Sequence, residues 1–189
     1  MNIRWNIILS IIAITLLAWF YSLNQEKQEH SALVKSENGP EYSGANMHTA
    51  VFSPVGQKQY LATADKVEHY ANNGETKFIL PKLYLYELTQ DSPKQSWSIS
   101  ANNAILTKDN LLFLNGNVQV DSLLESRKLQ KIETQSAVID LKTQDISSDS
   151  SVKINGYNFY STGLKLQGNL QQQIATLKEQ VKTYYEIKK

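Results

Sequence analysis

From Phe78 to Leu166 apolar residues recur in short runs with a period of two, and no long helical pattern interrupts them. The runs are Phe78-Ile79-Leu80 and Leu83-Tyr84-Leu85-Tyr86 around Pro81, then Trp97-Ser98-Ile99, Ala104-Ile105-Leu106, Leu112-Phe113-Leu114 and Val118-Gln119-Val120. Ile132-Glu133-Thr134, Val138-Ile139-Asp140-Leu141, Val152-Lys153-Ile154, Phe159-Tyr160 and Leu164-Lys165-Leu166 follow. A period of two is the side-chain repeat of a strand, and Val, Ile, Thr and Tyr suit a half-buried pleated surface. Asn72-Asn73-Gly74, Asp109-Asn110, Asn115-Gly116, Asn155-Gly156 and Gly168-Asn169 read as turns between the runs. Strands at this spacing predict an all-β sandwich or barrel.

A weak internal repeat agrees with this. Ala104-Ile105-Leu106-Thr107 is echoed 33 residues later by Ala137-Val138-Ile139-Asp140-Leu141, and each copy runs on to an Asn-Gly corner, Asn115-Gly116 or Asn155-Gly156. Stacked hairpins of this kind bury one continuous face that no single hairpin could bury alone. The end of the chain fits two patterns. Ile174, Leu177, Val181 and Tyr184 follow a helical stripe, whereas Ala175, Leu177, Val181, Thr183 and Tyr185 share one face of a strand. The β-favouring residue types tip the reading to a strand, which would expose an edge.

The other constraint lies at the start. Residues 5–25 carry no charge, between Arg4 and Glu26, and include Ile7-Ile8-Leu9 and the run from Ile11 to Phe20. About 20 apolar residues cross the hydrocarbon core as a helix, and Asn6, Ser10 and Thr15 do not prevent it. A cleaved signal peptide needs small residues after its core, but Trp19-Phe20-Tyr21 stands there instead. Aromatics at both ends suit the two membrane interfaces. The expectation is residues 1–4 in the cytoplasm, a retained transmembrane helix over 5–25, a polar linker over 26–40 and an outer domain over 41–189.

Composition limits the chemistry. Arg4 is the only charged residue before Glu26, so of 19 basic and 18 acidic residues the rest of the chain carries 18 of each. A neutral domain gives no electrostatic case for nucleic acid. There is no cysteine, so the fold must stand on its core, and thiol chemistry and cysteine metal sites are excluded. His30, His48 and His69 are dispersed, and Asp65-Lys66-Val67-Glu68-His69 matches no metal motif, so no metal or cofactor is expected. Neither a nucleophile elbow nor a phosphate-binding loop occurs. Asp140, Asp145 and Asp149 sit among Ser and Thr in turn-like contexts. The chain reads as a non-enzyme.

Apolar supply is what stands out: ten tyrosines, with Phe78, Tyr84, Tyr86, Trp97, Phe113 and Phe159 inside the runs. They either fill a sandwich core or line an opening between sheets where an acyl chain could lie. At this point a resemblance enters. Ser53-Pro54-Val55-Gly56-Gln57-Lys58-Gln59-Tyr60-Leu61 with Val67-Glu68-His69-Tyr70, the stretch from Ile132 to Asp145, Ser161 to Leu170, and Glu179 to Ile187 resemble the LptC family of inner-membrane lipopolysaccharide-export proteins. The resemblance covers almost the whole chain.

It implies a twisted, partly open antiparallel β-jelly roll, of the OstA-like kind, preceded by a single transmembrane helix. It implies transport of lipopolysaccharide from inner to outer membrane. The partners would be the ABC transporter of that system (LptB, LptF and LptG) and the periplasmic bridge protein LptA, joined through a C-terminal edge strand. The bulk of the chain would then be periplasmic. Phe78, Ala175 and Tyr185 match cavity-lining positions of the family, and Met47 stands where the family pattern has Thr. Gly156 matches a glycine tied to assembly on the transporter, and as a turn glycine it would need φ > 0. Ser10 and Thr15 would then be small polar contacts of the helix with the transporter. The reading from the residues alone keeps an anchored adaptor with a filled core as its alternative.

Overall fold

The computed structural model of the chain describes residues 13–20, 39–87, 94–124 and 128–186. Two compact units divide at Gly39 and Pro40. In the first, residues 13–20 form a helix with every residue exposed. The rest of the expected span over 5–25 lies outside the described residues, among which no helix is long and apolar enough to cross a membrane.

The second unit is one antiparallel sheet. Its strands are β1 (Tyr42–Phe52), β2 (Lys58–Tyr70), β3 (Glu75–Ile79), β4 (Lys82–Glu87), β5 (Lys94–Ser100) and β6 (Asn103–Leu106). β7 (Leu111–Ser122), β8 (Leu129–Asp140), β9 (Asp145–Gly156), β10 (Phe159–Asn169) and β11 (Ile174–Tyr185) complete it. β3 and β4 lie end to end against β2, at one register, parted only by Leu80 at φ 50° and Pro81. Proline has no N–H to give the ladder, so the strand breaks there. β5 and β6 are likewise one strand broken at Ala101 and Asn102, across which Leu80 N–H donates to Asn102 O. The chain is therefore a meander of nine long strands, with β1 and β11 at its two edges, as the C-terminal residue types predicted for β11.

A single line of irregularities crosses every strand. It runs through Asn46 (φ 52°), Asp65, Leu80, Asn102, Gly116 (φ 78°) with Asn117 (φ 50°), Gln135, Ser150, Lys165 (φ 56°) and Gln180 (φ 52°). Two residues of β7 face one of β8 here, two of β9 face one of β10, and two of β11 face one of β10. An extra residue bends its strand and tightens the local twist. Repeated in register, it creases the whole sheet, so that its two halves fold towards one another. Asn115-Gly116, expected as a corner between strands, is part of this crease inside β7; the hairpin turn comes earlier, at 107–110. Gly116 is needed for its φ, and a Cβ there would also meet Asn102 Nδ2 at 2.7 Å.

The core lies between the halves. Leu83, Leu85, Trp97, Ile99, Val118, Val120, Ile132, Val152 and Ile154 come from one half; Leu112, Leu114, Ile139, Ile146, Leu166 and Leu170 come from the other, all in one cluster. Each such side chain contributes about 1.5–3 kcal/mol relative to leaving it in water. Trp97, wholly buried, donates from Nε1 to Leu170 O at 2.9 Å and ties the two halves together away from the crease.

Candidate functional site

The folded sheet has an inner face that can be followed strand by strand. One row of directly paired residues runs Thr49, Ala62, Leu83, Ile99, Val120, Ile132, Ile154, Ser161, Thr183. On the other side of the crease runs Tyr42, His69, Thr76, Leu106, Leu112, Ile139, Ile146, Gly168, Ala175. Both rows are buried in mid-sheet, and their ends on β1 and β11 are exposed or half-buried. The core is thus closed in its centre and uncovered at both edges. Buried polar groups at the crease are satisfied: Thr134 Oγ1 and Ser148 Oγ are 3.1 Å apart, and Thr134 donates to Ser151 O.

All four expected lipid-facing residues fall on this inner face. Met47 pairs with buried Ala64 and is half-buried on β1. Phe78 on β3 pairs with buried Ala104 and packs against the core. Ala175 ends the second row, and Tyr185, 75 % exposed, pairs with Phe159 at the end of β11. They are not gathered around one cavity, since β1 and β11 are opposite edges of the sheet. Ala175 lines a cleft of about 450 Å³ with Leu129, Phe159, Leu177 and Val181. Tyr185 lines a neighbouring cleft of about 460 Å³ that shares Phe159. Thr15 lies in the helix over 13–20, and Ser10 lies outside the described residues.

Gly156 needs a correction. It ends β9 without positive φ; Asn158, at φ 62°, takes that role in the turn. Glycine is required for space: a Cβ at 156 would stand 2.0 Å from Phe159 Cε1 and 2.6 Å from Lys128 O. Phe159 lies across Gly156, on the same inner-face row as Leu129 and Tyr185.

Two of the acids, Glu68 and Asp145, have structural partners. Glu68 receives Lys66 Nζ at 2.7 Å and Tyr70 Oη at 3.0 Å, and these bonds hold its carboxyl below the ordinary range. Asp145 is lowered in the same way by Asn169 Nδ2 at 2.7 Å and Thr143 Oγ1 at 2.7 Å, which joins the turn before β9 to the end of β10. Among the described residues no group of three or more His, Asp or Glu could hold a metal ion. The crease, and the Phe159 ring over Gly156, were missed in the sequence, because a bulge has no composition signal beyond a stray Gly or Asn.

One creased antiparallel sheet, apolar within and uncovered at both edges, is a fold shared with a periplasmic component of lipopolysaccharide transport. The crystal structure of LptH, the LptA-homologous periplasmic component of that transport device in Pseudomonas aeruginosa, superposes with a TM-score of 0.54 over 68 % of this chain and 95 % of that one. At 13 % identity this likeness is one of fold. The chain itself belongs to the LptC family: residues 10–186 match the family described as lipopolysaccharide-assembly, LptC-related. The lipopolysaccharide export system protein LptC of Haemophilus influenzae is 56 % identical, across 100 % of this chain and 97 % of that protein. Its counterpart in Escherichia coli K12 is 37 % identical, across 97 % of this chain and 94 % of that one.

Proposed function

We infer that this chain carries lipopolysaccharide along the inner face of its creased sheet, as one link of the export system that its relatives' names describe. The observation that carries this is the inner face, apolar through mid-sheet in both rows and uncovered at β1 and β11, where Met47, Ala175 and Tyr185 reach the edges. Each acyl CH₂ kept from water is worth about 0.8 kcal/mol, so a lipid leaving a bilayer needs an unbroken apolar path. Met47, Phe78, Ala175 and Tyr185 lie along that path. Lipid enters from the inner-membrane ABC transporter (LptB, LptF and LptG) and passes to LptA, whose strand adds to the free edge of β11. Residues 5–25 anchor the chain in the inner membrane with residues 1–4 cytoplasmic, and the linker over 26–40 leads to a periplasmic domain. Ser10 and Thr15 face the transporter, and Gly156 supports assembly by keeping the end of β9 in shape.

A photocrosslinking residue placed in turn at Met47, Phe78, Ala175 and Tyr185 tests this in the assembled, ATP-supplied transporter. Lipopolysaccharide adducts are expected at these positions and not at Lys182, which points outward on β11. Adducts at none of the four would overturn the reading. The packed centre of the sheet favours one competitor, an anchored adaptor that joins envelope proteins and holds no lipid. An adaptor, purified whole and incubated with lipopolysaccharide, would retain none.

A further inference from the structure

The cleft that holds Tyr185 has a second wall that the lipid path does not use. Tyr160 and Tyr184 are opposite one another on β10 and β11, face away from the core, and stack with ring centroids 6.1 Å apart. Tyr157, in the turn beside them, is 62 % exposed and Tyr184 is 61 % exposed. Asn155, Asn158 and Glu186 supply the polar rim of the same cleft. Its floor is pinned by backbone bonds from Tyr157 N–H to Lys128 O and from Glu186 N–H to Asn158 O. Its volume, about 460 Å³, falls in the range of small-ligand sites.

We propose that this cleft is a saccharide site, which holds a neutral hexose or hexosamine ring of the glycolipid while its acyl chains lie on the inner face. A tyrosine face is electron-rich and attracts the C–H groups that line one side of a pyranose ring. Amides donate and accept, and a carboxylate accepts, so Asn155, Asn158 and Glu186 match the hydroxyls around that ring. Among the described residues lining the cleft there is no lysine or arginine, and Glu186 carries a negative charge, so a phosphorylated sugar is disfavoured. Phe159 and Tyr185 belong to the inner face and line this cleft as well, which makes the two surfaces continuous. The proposal rests on the lipid-carrying role for its ligand class, and it adds the headgroup to it.

The test uses the full chain in an amine-oxide detergent, because a sugar-headed detergent would compete. The probe is the N-acetylated, dephosphorylated glucosamine disaccharide of lipopolysaccharide, which carries no charge, observed by saturation-transfer NMR. Binding is expected in the wild type, with affinity lowered about tenfold by Tyr184→Ala or Tyr160→Ala, in line with the worth of an aromatic face. Tyr184→Phe and Tyr160→Phe should keep it. Should the alanine variants disturb the pairing of β10 and β11, Asn158→Gly removes an amide while tolerating the positive φ, and it should weaken binding too. Unchanged affinity in all these variants, or binding only when the disaccharide carries phosphate, would overturn the proposal. So would variants that lose LptA association but still bind sugar. Loading of acylated lipid is measured in parallel. Sugar bound without lipid loaded rejects the carrier role alone; lipid loaded without sugar bound rejects this site alone.

Discussion

Gly156 shows how one hydrogen atom can shape a sheet. Its place in the chain pointed to a turn, yet the structure assigns the positive φ to Asn158 and leaves Gly156 extended beneath the Phe159 ring. Phe159 could swing away from an added methyl, but the backbone carbonyl of Lys128, just before β8, could not. Gly156→Ala should therefore cost about 1–3 kcal/mol in urea unfolding, as overpacking does. Combining it with Phe159→Ala should recover only part of that loss, because the clash with Lys128 O persists. Full recovery in the double variant would show that the ring alone excludes a side chain. No reading of Asn155-Gly156 in the sequence could separate these causes, since a conformational glycine and a steric one have the same letter. Phe78 and Ala175 were more legible, because alternation alone sets their face.

Strand identity was readable for similar reasons: residue types and period two mark β3 to β11 without reference to tertiary contacts. Strand continuity was not. Leu112 to Val120 and Ile132 to Leu141 read as separate short strands, and the structure joins the first within β7 and most of the second within β8, with a bulge between. A bulge depends on its partner strand, so it is defined across the ladder and not along it. The crease can be probed one residue at a time. At Asn117 and Lys165, both left-handed, a valine has its β-branch against the backbone. Asn117→Val and Lys165→Val should each lose about 1–3 kcal/mol, whereas the glycine variants should lie near neutral. If valine and glycine behaved alike, the crease would have no backbone preference.

At the scale of the molecule, what the sequence left open was whether the space between the halves is filled or empty. It is filled in mid-sheet and uncovered at the edges, a result that hinges on contacts between residues far apart in the chain. Trp97 and Leu170 are 73 positions apart, and their hydrogen bond joins the two halves directly. Trp97→Phe keeps most of the ring but leaves the Leu170 carbonyl short of this donor, at a cost of about 1–3 kcal/mol. Amide exchange should then quicken in β5 and at the β10–β11 turn together; a change confined to β5 would mean that the bond does not couple the halves. The crease has a consequence of another kind. It is made by a local irregularity in each strand, so the width of the inner face is set per strand, while its length is set by how many strands are laid side by side. Further strands added at either end would lengthen that face without changing its width. Such a fold suits a route whose cargo has a constant cross-section and whose distance is settled by counting domains.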